Sequence, residues 1–190
     1  MRMTLPNVLT LARIALIPVF GLLFFLPVPW ANEAAVTVFA LAAVTDWLDG
    51  YLARRLGLTS AFGAFLDPVA DKLMVATALI ALLAVHPSPL LAVLVGVIIG
   101  REIAVSALRE WMAELGKRAT LKVSVIGKVK TAVQMVAIIL LIYGDPVGWL
   151  PVFAMGFALL VIAAGLTLWS MMLYLRAALG VIREAEARPG

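Results

Sequence analysis

The sequence predicts an all-α, polytopic integral membrane protein with six transmembrane helices. Of its 190 residues, 64% are hydrophobic and 14% are charged, whereas soluble domains are about 45–50% apolar and about 25% charged. The mean hydropathy is +1.10. The apolar residues fall into six runs, and six spans of about 20 residues with short connections fill a chain of this length. No linker, low-complexity tract or clear repeat interrupts it, so residues 1–190 read as one domain. The chain has no cysteine, which excludes disulfides, thiolate catalysis and zinc–thiolate sites. Its one histidine, His86, lies in a VHPSP turn and reads as a loop residue, so a histidine-based metal site is excluded too. The net charge of +4 does not point to nucleic acid, because the basic residues lie beside spans rather than in a soluble patch.

The first span runs from about Asn7 to Leu26 and ends in PVPW. It is long for a signal-peptide core and lacks a small-x-small cleavage site, because Pro29 stands two places before Ala31; a retained helix is expected. Asn7, Thr10 and Arg13 recur every three residues and share a face. Taken alone, Arg13 reads as an interfacial, snorkelling side chain. The second span, about Glu33 to Leu56, ends in Asp46, Asp49, Arg54 and Arg55, and Gly57 to Ser60 form a stop and a cap. The third, about Ala61 to Val85, carries Gly63, Asp67, Pro68, Asp71 and Lys72 in its first half. Pro68 is expected to kink the helix and aim the aspartates, and Lys72 to snorkel. The fourth runs from about Leu90 to Trp111, with Arg101 and Glu102 toward its end. A basic segment follows, then a fifth span at about Thr131 to Tyr143, the turn YGDPVGWLP, a sixth span at about Val152 to Leu175, and a short charged tail.

Charge asymmetry sets the topology. Arg2, Arg54, Arg55, Lys117, Arg118, Lys122, Lys128, Arg176, Arg183 and Arg188 lie at the termini and the even-numbered connections. The loops near Trp30, His86 and Asp145 hold no Lys or Arg. Both termini are therefore expected in the cytoplasm, with Trp30 and Trp149 in the outer aromatic belt.

Against that background, four carboxylates stand out: Asp46, Asp49, Asp67 and Asp71. Each would cost about 2.5–3.5 kcal/mol at the centre of a span, or roughly 10–14 kcal/mol together, without compensation. Asp46 and Asp49 are three apart and share one helical face, and Asp67 and Asp71 are four apart and share another. Gly50, Ala53 and Gly63 continue those faces with almost no side chain, leaving room for a ligand. Two antiparallel helices on a short turn can set the faces opposite each other. Oxygen ligands without His or Cys suit hard cations such as Mg²⁺ or Mn²⁺, and two such ions form the usual clamp for phosphoryl chemistry. Arg54 would suit a phosphate oxygen. Four intramembrane acids alone fit a cation or proton transporter equally well; the small residues and Arg54 favour the phosphoryl reading.

The pattern Asp46-x-x-Asp49-Gly50-x-x-Ala53-Arg54, eight residues, then Gly63-x-x-x-Asp67-x-x-x-Asp71 resembles the signature of the CDP-alcohol phosphotransferases, with every fixed position filled. The resemblance implies a six-helix membrane fold, a homodimer, and two divalent cations (Mg²⁺ or Mn²⁺) held by the four aspartates. It implies displacement of CMP from a CDP-linked donor by an alcohol, with Asp71 as general base and Gly50, Ala53 and Arg54 contacting the cytidine diphosphate. Asn7 and Gly63 join that CDP-binding set.

The signature does not name the alcohol. Pro6 to Arg13, Gly100 to Glu110 and Val123 to Met135 resemble the branch that uses CDP-diacylglycerol and glycerol 3-phosphate. An acceptor bearing its own phosphate needs cations, and Arg101, Arg109, Lys128 and Lys130 lie at the expected cytoplasmic ends of spans four and five. Thr131 and Gln134 could line the same pocket, and Glu102 is expected to pair with a neighbouring base. Lys117, Arg118 and Lys122 read as ordinary positive-inside residues. An inositol phosphate acceptor is the runner-up. The expected site is a bacterial cytoplasmic membrane, with the active site on the cytoplasmic side.

Overall fold

A computed structural model of the chain describes residues 5–56, 61–114 and 125–186. Among them are six helices: α1 (Leu5–Phe24), α2 (Ala31–Leu56), α3 (Ala61–Val85), α4 (Pro89–Glu114), α5 (Val125–Tyr143) and α6 (Val152–Glu186). The protein is an all-helical integral membrane protein. Asn7–Phe24, Phe65–Val85, Pro89–Ala113 and Val152–Gly180 are long and apolar enough to cross a bilayer, and Val129–Tyr143 is a shorter apolar helix.

The helix breaks follow local chemistry. Pro27 and Pro29 cannot continue α1. At the start of α4, Pro89 occupies the first turn, where no amide bond is lost, and the Ser88 hydroxyl accepts from the Leu91 amide at 3.5 Å. Between α5 and α6, Gly144 and Gly148 adopt φ of 72° and 59°, the left-handed region that glycine enters without penalty. Two boundaries differ from the sequence reading. α5 begins six residues before Thr131, and α6 runs eleven residues past Leu175. The supposed tail is rich in Arg, Ala, Leu and Glu, all strong helix formers, so nothing stops the helix at the end of its apolar stretch.

The chain forms two compact units, residues 1–87 with 138–156, and residues 88–137 with 157–190. In the first, α1 packs on α2 and α3, and α2 on α3. α2 offers Ala31, Ala35, Phe39 and Ala42, and α3 offers Ala70, Met74, Ala78 and Leu82, all buried. Alanine at helical spacing lets backbones approach closely where lipid supplies no hydrophobic drive between helices. Phe20 of α1 stacks on Phe24 at 5.7 Å and meets Phe39 at 6.0 Å, filling the space the alanines leave. In the second unit, α4 buries Leu91, Leu94, Val95, Ile98, Val105 and Met112, and α6 buries Leu160, Ala163, Ala164 and Ala178. Met112 packs on Ala178, with Leu108 against the pair.

Candidate active site

α1 carries two chemistries on one stripe. Asn7, Thr10, Arg13, Phe20 and Phe24 are its buried residues, at spacings of three, four and seven. The C-terminal half is aromatic core. The N-terminal half reaches the acidic helices: the Thr10 hydroxyl donates to Asp67 Oδ1 at 2.5 Å, and Arg13 Nη1 donates to Asp46 Oδ1 at 2.5 Å. One helix thus ties the first aspartate of α2 to the first aspartate of α3. The Arg13 side chain is 1% exposed and that of Asp46 is 40% exposed. Arg13 is therefore not a snorkelling residue. Its burial against a carboxylate corrects that expectation, because a guanidinium with an anionic partner inside the protein has no need to reach the headgroups. The remaining exposure of Asp46 keeps it within reach of a second cation.

Asp67 and Asp71 are both part-buried on α3, one turn apart, and Gly63 is buried one turn before Asp67. α3 is continuous through Pro68. The side chains of Asp49, Gly50, Ala53 and Arg54 lie outside the described ones, as does that of Lys128, and Lys117, Arg118 and Lys122 lie outside the described residues altogether. Among the described residues no three acidic or imidazole side chains form a ready metal cluster. The donor set nevertheless fits a hard cation. Asp46, Asp67 and Asp71 are carboxylates on two packed helices, and the chain has no thiol and a single imidazole.

The second unit contains its own polar interior. Arg101 is buried on α4; its Nη1 donates to Glu102 at 3.2 Å and its Nη2 to the Ser170 hydroxyl of α6 at 2.8 Å. Lys130 of α5 is buried and donates to the same Glu102 carboxylate. Arg109, two turns beyond Arg101, donates to the Tyr174 hydroxyl at 2.6 Å. Both guanidinium groups lie over the Tyr174 ring, 5.7 Å from its centroid for Arg101 and 4.9 Å for Arg109. Two cations, Arg101 and Lys130, thus share the Glu102 carboxylate, and Arg109 joins Arg101 through Tyr174. Three buried oxygen and nitrogen atoms of this unit, Arg101 Nε, Gln134 Oε1 and Thr167 Oγ1, have no partner among the described residues. Glu102 pairs with bases, as its position suggested. Thr131 is instead exposed and donates to the Gly127 carbonyl of its own helix.

The model of the CDP-alcohol phosphatidyltransferase family matches residues 3–181. The chain belongs to that family. Members work with divalent metal ions, in keeping with the carboxylate donors of α2 and α3. Among similar proteins, a CDP-diacylglycerol–glycerol-3-phosphate 3-phosphatidyltransferase of Pseudomonas fluorescens is 56% identical over 177 residues, covering 93% of this chain and 90% of that protein. The enzyme of the same name from Escherichia coli strain K12 is 52% identical over 178 residues, 94% of this chain and 96% of its own. One from Shigella flexneri serotype 5b has the same identity and coverage. For a CDP-alcohol phosphatidyltransferase, the residues that sequence reasoning missed are Arg13 and Thr10 as partners of the aspartates, and Ser170 and Tyr174 as partners of the arginines. The signal for the second pair was present. Thr167, Ser170 and Tyr174 recur at spacings of three and four within an apolar helix, which places them on one face.

Proposed function

We propose that this chain transfers the phosphatidyl group of CDP-diacylglycerol to sn-glycerol 3-phosphate, giving phosphatidylglycerophosphate and CMP. The observation that carries the reading is an identity of 52–56% over at least 93% of the chain to transferases of that name. The whole length is involved, including the stretch from Gly100 to Met135 that bears the basic residues.

Asp46, Asp49, Asp67 and Asp71 would hold two divalent cations, Mg²⁺ or Mn²⁺, which when bound supply positive charge to the diphosphate and to the departing CMP. Arg13 and Thr10 fix the rotamers of Asp46 and Asp67 by donating to one oxygen of each, so these carboxylates are oriented before any ligand arrives. Gly50, Ala53 and Gly63 leave backbone-close space for the cytidine diphosphate, and Arg54 and Asn7 supply donors to it. Asp71 takes the proton from the acceptor hydroxyl as general base. The freed oxygen attacks the phosphorus that carries diacylglycerol, and the bond from that phosphorus to the CMP oxygen breaks. Arg101, Arg109, Lys128 and Lys130 bind the acceptor's phosphate. A phosphate monoester carries about −1.5 to −2 charges at neutral pH, and Arg101 and Lys130 on Glu102, with Arg109 on Tyr174, supply an excess of positive charge.

The enzyme is one membrane domain over residues 1–190, a homodimer, with both termini and the active site on the cytoplasmic side of a bacterial inner membrane. The basic bias of the even-numbered connections supports that orientation.

The test is an acceptor panel. Purified chain with CDP-diacylglycerol and Mg²⁺ should release CMP with glycerol 3-phosphate and not with inositol 1-phosphate, serine or phosphatidylglycerol. Release only with inositol phosphate would move the chain to another acceptor. No release with any acceptor, together with cation flux in liposomes, would replace the enzyme reading with a transporter.

A further inference from the structure

The last helix offered little to sequence reasoning beyond hydrophobicity, yet it holds the partners of the buried Arg101 and the exposed Arg109. We propose that Ser170 and Tyr174 of α6 are positioning residues for the acceptor's phosphate, setting the geometry of Arg101 and Arg109 without contacting the donor lipid. The inference rests on the assignment of those arginines to the acceptor.

Ser170 and Tyr174 are one turn apart and both buried, 1% and 7% exposed, so they present one polar face within an apolar helix. Two guanidinium groups repel each other and, on a flexible α4 surface, would splay apart. Here a single aromatic ring lies against both, at 5.7 Å and 4.9 Å. The negative face of a tyrosine ring attracts a cation within about 6 Å, more strongly when water is excluded. The ring therefore offsets the repulsion and draws the pair together. The two hydroxyls then fix orientation. Tyr174 Oη accepts from Arg109 Nη2 at 2.6 Å, and Ser170 Oγ accepts from Arg101 Nη2 at 2.8 Å. With Nη1 of Arg101 on Glu102, its buried Nε is the one nitrogen of that group without a partner among the described residues. A planar fork whose other nitrogens are anchored presents that donor in a fixed direction. Such preorganisation lowers the ordering cost when an anion with several acceptor oxygens arrives. The chemistry recognised is a phosphate monoester.

The full-length chain, purified with CDP-diacylglycerol and Mg²⁺, gives the test through CMP release against each substrate. Tyr174→Phe keeps the ring and removes the hydroxyl; it should raise KM for glycerol 3-phosphate about five-fold. Tyr174→Leu removes both and should raise it about thirty-fold. Ser170→Ala should raise it about three-fold. In all three, KM for CDP-diacylglycerol should stay within two-fold and kcat near that of the natural chain. Inorganic phosphate, used as a competitor, should lose inhibitory strength in the same order. A merely structural role would move both substrates together or lower kcat, and either result overturns the proposal. If Tyr174→Leu does not fold, Tyr174→Phe and Ser170→Ala decide alone, and an unchanged acceptor KM in both refutes it. Arg109→Ala is run beside them. If it raises the acceptor KM while the α6 variants do not, positioning fails and the acceptor site stands. If it leaves that KM unchanged, the acceptor assignment itself fails.

Discussion

Arg13→Met tests whether α1 holds the acidic helices together. Methionine fills similar volume, so the substitution removes charge and hydrogen bonds with little cavity. Breaking a fully buried ion pair by removing one partner costs about 3–5 kcal/mol, because the other charge is left unsolvated. Here Arg13 is 1% exposed but Asp46 is 40% exposed, so water can recover part of the carboxylate's solvation. The expected loss is therefore lower, about 2 kcal/mol, in the range of a charge-assisted hydrogen bond. For a chain of this size that corresponds to a drop of about 4–8 °C in apparent melting temperature. The assay is thermal unfolding in detergent, followed by intrinsic tryptophan fluorescence. A double-mutant cycle with Asp46→Asn isolates the pair: once Asp46 is neutral, Arg13→Met should cost markedly less, giving a coupling energy of about 1–2 kcal/mol. Additive effects, or a melting temperature within 1 °C of the natural chain, would refute the claim that this pair orients α2 on α1.

Other outcomes follow from the same geometry. Asp71→Asn should lose turnover by about 10²-fold or more while retaining CDP-diacylglycerol binding in a pull-down with labelled lipid, as expected of a general base. Chelation of divalent cations should abolish CMP release, with recovery on adding Mg²⁺ but not Ca²⁺ at equal concentration, because Ca²⁺ is the larger ion and takes longer, more variable oxygen ligation. Thr10→Ala should lower kcat several-fold and Thr10→Ser should restore it, since the hydroxyl that donates to Asp67 is kept. Gln134→Met should leave the ligand-free melting temperature unchanged or raise it. The side-chain oxygen of Gln134 is buried without a partner among the described residues, and an apolar isostere removes that desolvation penalty.

Much of this was legible in the residues. The helices and the one-turn spacing of Asp67 and Asp71 depend on local periodicity, which a single sequence carries in full. The end of α5 at Tyr143 falls where Gly144 and Pro146 place it, while Gly57 to Ser60, read as a stop and a cap, lie outside the described residues. What periodicity could not supply was partnership across long separations. Arg13 and Asp46 are 33 residues apart, Thr10 and Asp67 are 57, and Arg101 and Ser170 are 69. Nothing in the first span says whether Arg13 turns outward to headgroups or inward to a carboxylate. Both readings satisfy the same local pattern, and only helix packing separates them. Ser170 and Tyr174 were overlooked for a different reason. A hydroxyl in a membrane helix is unremarked because it can bond its own backbone, as Ser170 does by donating to the Thr167 carbonyl.

The stripe on α1 also bears on how the chain enters the bilayer. Arg13 lies near the middle of a 20-residue helix, where an arginine costs about 2.5–3.5 kcal/mol to insert. Its partner is on the next helix to leave the ribosome. The first helix is therefore a poor independent passenger at the translocon, and so is the second, with Asp46 near the site of contact. Inserted together as a hairpin, the two present a neutral pair instead of two separate charges. The order of synthesis delivers the guanidinium first and the carboxylates of α2 and α3 afterwards. Asp46 and Asp67 then meet their donors already waiting in the membrane, and a chain that lost its first helix would have to place those two acids in lipid without them.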